Sequence, residues 1–531
     1  MEGALQKFSG LDLRQAHSQR SRVDFLAWLR DNGVTSLTDR QAIANGLGRE
    51  KRMSVASKTP VTRPANIASD ATVVVPGDPH LFFSPYNWAI RNGQAATASP
   101  GAYFRLAFSL IGGASSLYLE LDSSAIDKAF MKLAISVDDA TGTAVLVPPG
   151  EVSSLIPVLV DGGGTGVGNR HVLSVRVQSS VQSFDRWGTG SRPPKCSLRV
   201  KSIRLPAGAT SLAPTLLPRQ LAIFGDSITE GVSAGYQQST SPQKGGDLTW
   251  NDSSASWAAV LAGRLGAEYG CVGFGRQGWI TGGNGGVPCF HGSLTGGDGV
   301  RSRSGVPSGD GFSSGSGVAG GDGVSSGSGA SGDGSASKIE TQADISSWRW
   351  IYHGVPRRWR CSEQAHEPVH GSAGSSPPTA LLVLHGTNDG LTGADAGAVA
   401  ASVASFLADA RRALGTQSSL ILCVPFGGFG GAHTEPVGAL RTGLALYQQR
   451  RQAAGGGADP QAHIVDLGPS AATNLSAFRI VNGRYAPSDE SCDGIHPTAV
   501  RQRQLGEMLA AEVDALLAEG CGSGRDALEA S

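Results

Sequence analysis

Apolar and polar positions follow three different periods along this chain. Near the start, Val23, Phe25, Leu26, Trp28 and Leu29 recur at helical spacing, and Gly33 stands where a C-cap belongs. Thr38 then predicts the cap of a second short helix, Asp39 to Leu47, closed by Gly48. Two such helices bury little alone, so residues 1–50 are read as a packing or docking appendage, with a peptide-binding module as the rival reading. The polar, Pro-containing stretch 51–71 is read as a linker. From 72 to 210 the period becomes two. Ala102–Leu110, Ser116–Asp122, Lys132–Val137, His171–Val177 and Ser197–Leu205 alternate or run apolar between Gly, Pro, Asp and Ser clusters. Short strands without long helices predict a β-sandwich of jelly-roll type.

After Gln220 short apolar strands alternate with long helical stretches. Leu221–Phe224, Ala380–Leu384, Leu420–Pro425 and His463–Leu467 read as strands. Ser256–Leu265, Ala394–Leu414, Val437–Ala453 and Thr498–Leu517 read as helices. That order predicts a parallel sheet covered on both faces, a flavodoxin-like α/β domain over 216–520. One stretch breaks it. From about 282 to 337 the chain is nearly all Gly, Ser, Asp and Val, with Gly-Asp-Gly at 297–299, 309–311, 321–323 and 332–334. A calcium-binding β-helix needs nine-residue repeats of another pattern. A disordered surface insertion is the reading, because such a composition cannot bury enough apolar area to offset its chain entropy.

Composition narrows the function classes. The 531 residues carry 44 Lys plus Arg and 44 Asp plus Glu, a formal net charge of zero. This argues against nucleic-acid binding through a broad basic surface and against docking on anionic membranes. Seven scattered cysteines without CxxC spacing read as free thiols in a reducing compartment. The N-terminus has no apolar signal core and no stretch has transmembrane length, so an intracellular, cytoplasmic protein is expected.

Four blocks in the α/β region carry chemistry. In the first, the strand Leu221–Phe224 runs into Gly225-Asp226-Ser227, which sets a hydroxyl at the carboxyl edge of the sheet, ahead of a helix whose dipole favours developing negative charge. The second is Val272-Gly273-Phe274-Gly275-Arg276-Gln277-Gly278-Trp279, where a glycine lets a backbone N–H approach a carbonyl oxygen. The third, His385-Gly386-Thr387-Asn388-Asp389, offers the Asn388 amide as an oxyanion donor. In the fourth, Asp493-Gly494-Ile495-His496-Pro497, His496 can take a serine proton and Asp493 can hold its tautomer. Alone, each block is also a common loop, a Gly-rich turn, an Asn-Asp-Gly turn or a chance DxxH.

Together and in this order, the blocks resemble the four signatures of the SGNH (GDSL-like) hydrolases. The resemblance implies Ser227, Asp493 and His496 as the catalytic triad. It implies the Ser227 N–H, the Gly278 N–H and the Asn388 amide as the oxyanion hole, with Gly275 the alternative to Gly278 because Gly273 stands where many members have Asn. The sandwich, with Tyr86-Asn87-Trp88 and Pro100 to Phe108, is similar to the N-terminal domain of two-domain carbohydrate acetylesterases. This implies a serine esterase removing acetyl or another short acyl group from sugar hydroxyls, with no cofactor and no metal. Lipid esterase, thioesterase and acyltransferase activities use the same residues, and a non-catalytic carbohydrate-binding protein is the rival of another class. Trp279, Trp348 and Tyr352 are candidates for stacking on a sugar ring, with ordinary packing as the alternative. Cys361, His366 and His370 lack a fourth zinc ligand and are read as a surface loop.

Overall fold

The computed structural model of the chain describes residues 16, 22–31, 34, 71–110, 115–126, 131–138, 140, 142–160, 170–188, 193–236, 246–292, 346–353, 355–357, 359, 377–425, 436–467, 479–481, 484–486 and 495–522. The predicted second N-terminal helix, residues 51–70 of the linker, Cys361, His366, His370 and Asp493 lie outside these residues. The first helix is present as α1, Arg22–Asp31, with Phe25 and Leu29 buried and the Val34 N–H closing onto the Leu29 carbonyl.

The period-two region forms two antiparallel sheets, each of six strands among the described residues. The strands are β1 Val73–Val74, β2 Leu81–Phe83, β3 Ala89–Arg91, β4 Gln94–Thr97, β5 Tyr103–Ser109, β6 Ser115–Leu121, β7 Met131–Val137, β8 Thr143–Leu146, β9 Ser154–Val160, β10 Arg170–Ser180, β11 Leu198–Arg204 and β12 Thr210–Leu212. One sheet runs β3-β4-β11-β6-β9 with β1 on β11; the other runs β12-β5-β10-β7-β8 with β2 on β5. Alternation does the work along β10, where His171, Leu173, Val175 and Val177 are buried and their neighbours only partly so. The inward residues of both sheets share one core, Phe83, Phe104, Leu106, Leu119, Leu133, Val175 and Val200 among them. All five strands expected from the sequence are present, within about two residues of their expected ends except at the β10 carboxyl end.

The parallel sheet has five strands: β13 Arg219–Gly225, β14 Ala267–Gly273, β17 Ala380–Leu384, β18 Ser419–Cys423 and β19 Ala462–Val465, ordered β14-β13-β17-β18-β19. β15 Trp350–Tyr352 and β16 Val355–Pro356 form a separate ribbon. Because helices cover both faces, the sheet's central strands are mainly apolar, and β17 and β18 are buried at every position. Leu221 and Ile223 face α4 (Trp257–Arg264) and α8 (Ala499–Gly522). Ala222 and Phe224 face α6 (Ala396–Leu414) and α7 (Pro436–Ala453). The order is that of a flavodoxin-like sheet, whose ligand crevice lies outside the carboxyl end of the first strand, β13. The short helices α2 (Ser227–Glu230), α3 (Asp247–Trp250) and α5 (Thr387–Leu391) sit in the loops at or near that edge.

Two details position the site. The sandwich packs its outer face on the α/β layers: Phe82 and Tyr103 belong to the cluster around Leu221, Trp257 and Tyr269. Glu268 there accepts from the Tyr103 hydroxyl and pairs with Arg105, and the Asn87 amide donates to the Cys271 carbonyl at 3.1 Å. Of the expected Gly/Ser insertion, residues 293–337 lie outside the described residues. Residues 282–292 are part of the packed structure, with Val287 and Phe290 buried. The apolar Val287-Pro288-Cys289-Phe290 run supplies that burial.

Candidate active site

Asp226 caps α2, its Oδ1 accepting the Ile228 N–H at 2.9 Å, so Ser227 is the first helical residue. Its N–H is one of the orphan donors of the helix start, and the dipole there favours negative charge. The Ser227 Oγ lies 2.7 Å from His496 Nε2, a hydrogen bond between residues 269 apart in sequence. Gln502, buried one turn into α8, fixes this pairing from behind. Its amide donates to the Ile228 carbonyl at 3.1 Å while its oxygen accepts the Trp257 N–H at 2.9 Å. Nothing in its sequence setting marks Gln502, because its partners are tertiary.

The third block stands on α5. The Asn388 amide is buried, donating to the Gln277 carbonyl at 3.0 Å and approaching Asp226 Oδ2 at 3.4 Å. Ser227, His496, Asn388 and the second block are therefore brought to one edge, as the sequence predicts. Burial pushes the Asp226 carboxyl up to about 6, against the opposing pull of the Ile228 N–H and of His496.

The second block departs from expectation. The N–H groups of Trp279, Ile280 and Thr281 converge on the Asp389 carboxylate at 2.6, 3.1 and 3.1 Å, joined by the Thr281 hydroxyl at 2.9 Å. Wrapping round that carboxylate turns the Thr281 carbonyl back onto the Gly278 N–H, at 2.9 Å. The N–H predicted as an oxyanion donor is thus committed inside its own loop. The alternative, the Gly275 N–H, is also committed, to Glu230 Oε2 at 3.0 Å. Gly278 is needed for room instead: a Cβ there would lie 2.5 Å from the Asp389 Cγ. Gly273 is explained likewise, since its Cβ would meet the Glu230 backbone nitrogen at 2.6 Å. The Asn388 amide is engaged as well, and it can reach an oxyanion only by releasing the longer of its two bonds, the 3.4 Å approach to Asp226 Oδ2.

The aromatic candidates are all core residues. Trp279 is 0% exposed, packs edge-on against Phe290 and Phe406, and donates its Nε1–H to the His385 carbonyl. Trp348 is 2% exposed and stacks on Trp359 at 4.5 Å. Tyr352 is 6% exposed and packs with Ala89 and Ala96 of the sandwich. Each ring is buried against these neighbours, which leaves none exposed to stack on a sugar.

The GDSL-like lipase/acylhydrolase family model matches residues 221–509, more than half of the chain and all the described site residues. The chain belongs to this family. It is a serine ester hydrolase, and the acylhydrolase region is built on the parallel sheet. No curated protein matches the chain. Solved structures match it across both the sandwich and the parallel sheet. A family two carbohydrate esterase from Cellvibrio japonicus is 13% identical with a TM-score of 0.52, covering 84% of this chain and 98% of that one. One from Clostridium thermocellum in complex with cellohexaose is 15% identical with a TM-score of 0.51, covering 82% and 99%. The acetyl xylan esterase Est2A from Butyrivibrio proteoclasticus is 13% identical with a TM-score of 0.51, covering 85% and 99%. At these identities the likeness establishes the fold. Among the described residues no helix is long and apolar enough to cross a membrane.

Proposed function

We infer that this acylhydrolase removes short acyl groups, acetyl foremost, from carbohydrate hydroxyls through a serine acyl-enzyme. The observation that carries the reading is the 2.7 Å hydrogen bond from Ser227 Oγ to His496 Nε2 at the head of a capped helix. His496 Nε2 accepts the Ser227 proton as Oγ attacks the ester carbonyl. The Ser227 N–H and the Asn388 amide hold the tetrahedral oxyanion, and Asp493, three residues before His496, keeps the imidazole in the required tautomer. The sugar hydroxyl leaves with the proton from His496. Water then gives up a proton to His496 and attacks the acyl carbonyl, releasing the carboxylic acid and restoring Ser227.

The carbohydrate and the short acyl group rest on the relatives. Two are carbohydrate esterases and one is an acetyl xylan esterase, and the match takes in the sandwich as well as the hydrolase fold. The test is two-part. A fluorophosphonate should label the wild-type chain and leave Ser227→Ala unlabelled and inactive at an unchanged melting temperature. Acetylated sugars should then be turned over faster than p-nitrophenyl esters of long acyl chains. Activity surviving in Ser227→Ala overturns the nucleophile, and a preference for long acyl chains overturns the substrate class.

A further inference from the structure

The sandwich reaches into the back of the site through one side chain. Arg186, from the segment after β10, is 0% exposed and pairs with Glu230, itself 1% exposed, at 3.1 Å. Glu230 is the last residue of the four-residue helix that begins with Ser227. The other end of the guanidinium donates to the Gly273 carbonyl at 3.3 Å and to the Ala98 carbonyl at 3.5 Å, and its Cζ lies over the Phe274 ring, 4.9 Å from the centroid. Glu230 Oε2 also takes the Gly275 N–H at 3.0 Å and the amide of Gln182, another sandwich residue, at 3.3 Å. One ion pair therefore ties together the nucleophile helix, the end of β14 and the start of the loop that reaches Gln277.

A pair placed only for stability is a poor fit to these facts. Taking two charges out of water costs several kcal/mol per ion, and apolar residues of similar volume often do as well or better. Here the cost is not fully recovered, since Glu230 Oε1 and Arg186 Nε are buried with no hydrogen-bond partner among the described residues. What the pair supplies is direction. A planar fork can hold a carboxylate and a strand-end carbonyl at one fixed separation, which neither an apolar contact nor a lysine can do. Gly273 is pressed against the Glu230 backbone, so any shift of that strand end moves α2 and Ser227 with it.

We propose that Arg186 is a positioning residue for catalysis, through which the sandwich sets the register between the Ser227 helix and the Gly273–Gly278 loop. The proposal rests on Ser227 as the nucleophile, and that reading is checked separately by loss of fluorophosphonate labelling in Ser227→Ala. The experiment compares wild type, Arg186→Met, Arg186→Lys and the double variant Arg186→Met/Glu230→Gln as full chains. Melting temperature is read first, then kcat and KM on p-nitrophenyl acetate per site titrated with fluorophosphonate. Arg186→Met strands a buried carboxylate and should melt lowest. The double variant leaves no unpaired charge and should regain most of the melting temperature. Its kcat should nevertheless stay ~10–100-fold below wild type at a KM within a few-fold, the signature of misplaced reacting groups. Arg186→Lys keeps the charge but loses the fork, so its kcat should also fall at near-normal stability. A double variant with both wild-type stability and wild-type kcat would reduce the pair to a structural one. Should the double variant fail to fold, a folded Arg186→Lys with wild-type kcat overturns the proposal equally.

Discussion

Substituting Gly278 by alanine separates two accounts of the glycine that the family pattern places in the oxyanion hole. If Gly278 served only through its N–H, alanine would keep that donor and cost little. The structure predicts a large effect for a steric reason. The new Cβ would lie 2.5 Å from both Cγ and Oδ1 of Asp389 and closer still to Oδ2, where ordinary contact begins at 3.4 Å, so more than about 0.9 Å must be found. The carboxylate cannot swing aside, because the Trp279, Ile280 and Thr281 N–H groups and the Thr281 hydroxyl all hold it. The loop must move instead, stretching two or more of those charge-assisted bonds. Overpacking costs ~1–3 kcal/mol and each weakened bond up to ~1.5–3 kcal/mol, so a loss of about 3–5 kcal/mol is expected. That corresponds to a fall in melting temperature on the order of 10 °C. Because the same loop carries Gln277, whose carbonyl fixes Asn388, kcat per titrated site should fall by ~10–100-fold. The clash needs the carboxylate, so Gly278→Ala should cost little further in an Asp389→Ala background. Wild-type melting and wild-type kcat in Gly278→Ala would refute the steric account.

Three other outcomes follow from the site. Asn388→Ala should lower kcat by ~10²–10³-fold with little change in KM, because its amide meets full charge only in the tetrahedral state; a normal kcat in counted sites removes it from the oxyanion hole. Asp226 holds its proton more tightly folded than unfolded, with its carboxyl raised from 3.8 to about 6, so at neutral pH it costs the fold up to about 3 kcal/mol, a cost that fades as pH falls from about 6 to 4. Asp226→Asn still caps Ile228, so it should melt above wild type at pH 7.5 and converge with it near pH 4, whereas a pH-independent gap contradicts the burial of the charge. Replacing 293–345 by a short linker should leave folding and turnover of a small ester intact, since Ser347 N–H donates to the Cys289 carbonyl at 3.3 Å and Trp348 N–H to that of Phe290 at 3.2 Å, bringing the flanks together. Loss of small-ester turnover would give the repeats a part in the site.

Most of the architecture was legible because periodicity and burial coincide. Strands such as β10 face the sandwich core with every second residue, and β17 and β18 are buried throughout because helices cover both faces. The short strands were not legible. β2 is Leu81-Phe82-Phe83, buried throughout because Leu81 and Phe83 enter the sandwich core while Phe82 enters the α/β core. A three-residue run buried on both faces has no period to detect. The aromatic candidates failed for a related reason. A tryptophan beside a site motif has the same local sequence whether its ring faces a crevice or, like Trp279, meets Phe290 and Phe406.

The site itself divides along a physical line. Ser227 and His496 could be picked out because the proposed proton transfer demands those side chains at the ends of particular strands and helices, and that demand leaves a local mark. The groups holding them do not need a particular neighbour in sequence, only a partner in space: Gln502 for the Ile228 carbonyl, Arg186 for Glu230. The glycines show the cost of reasoning from local pattern alone. A Gly-rich turn beside a nucleophile suggests N–H groups presented to an oxyanion, yet the same absence of a Cβ also admits a carboxylate at Gly278 and a helix backbone at Gly273. Both uses demand glycine, so glycine by itself cannot separate them. What separates them is the acceptor. Asp389 and Glu230 are acidic residues that flank the motif residues and are spent entirely inside the fold, and their positions decide where each loop N–H points.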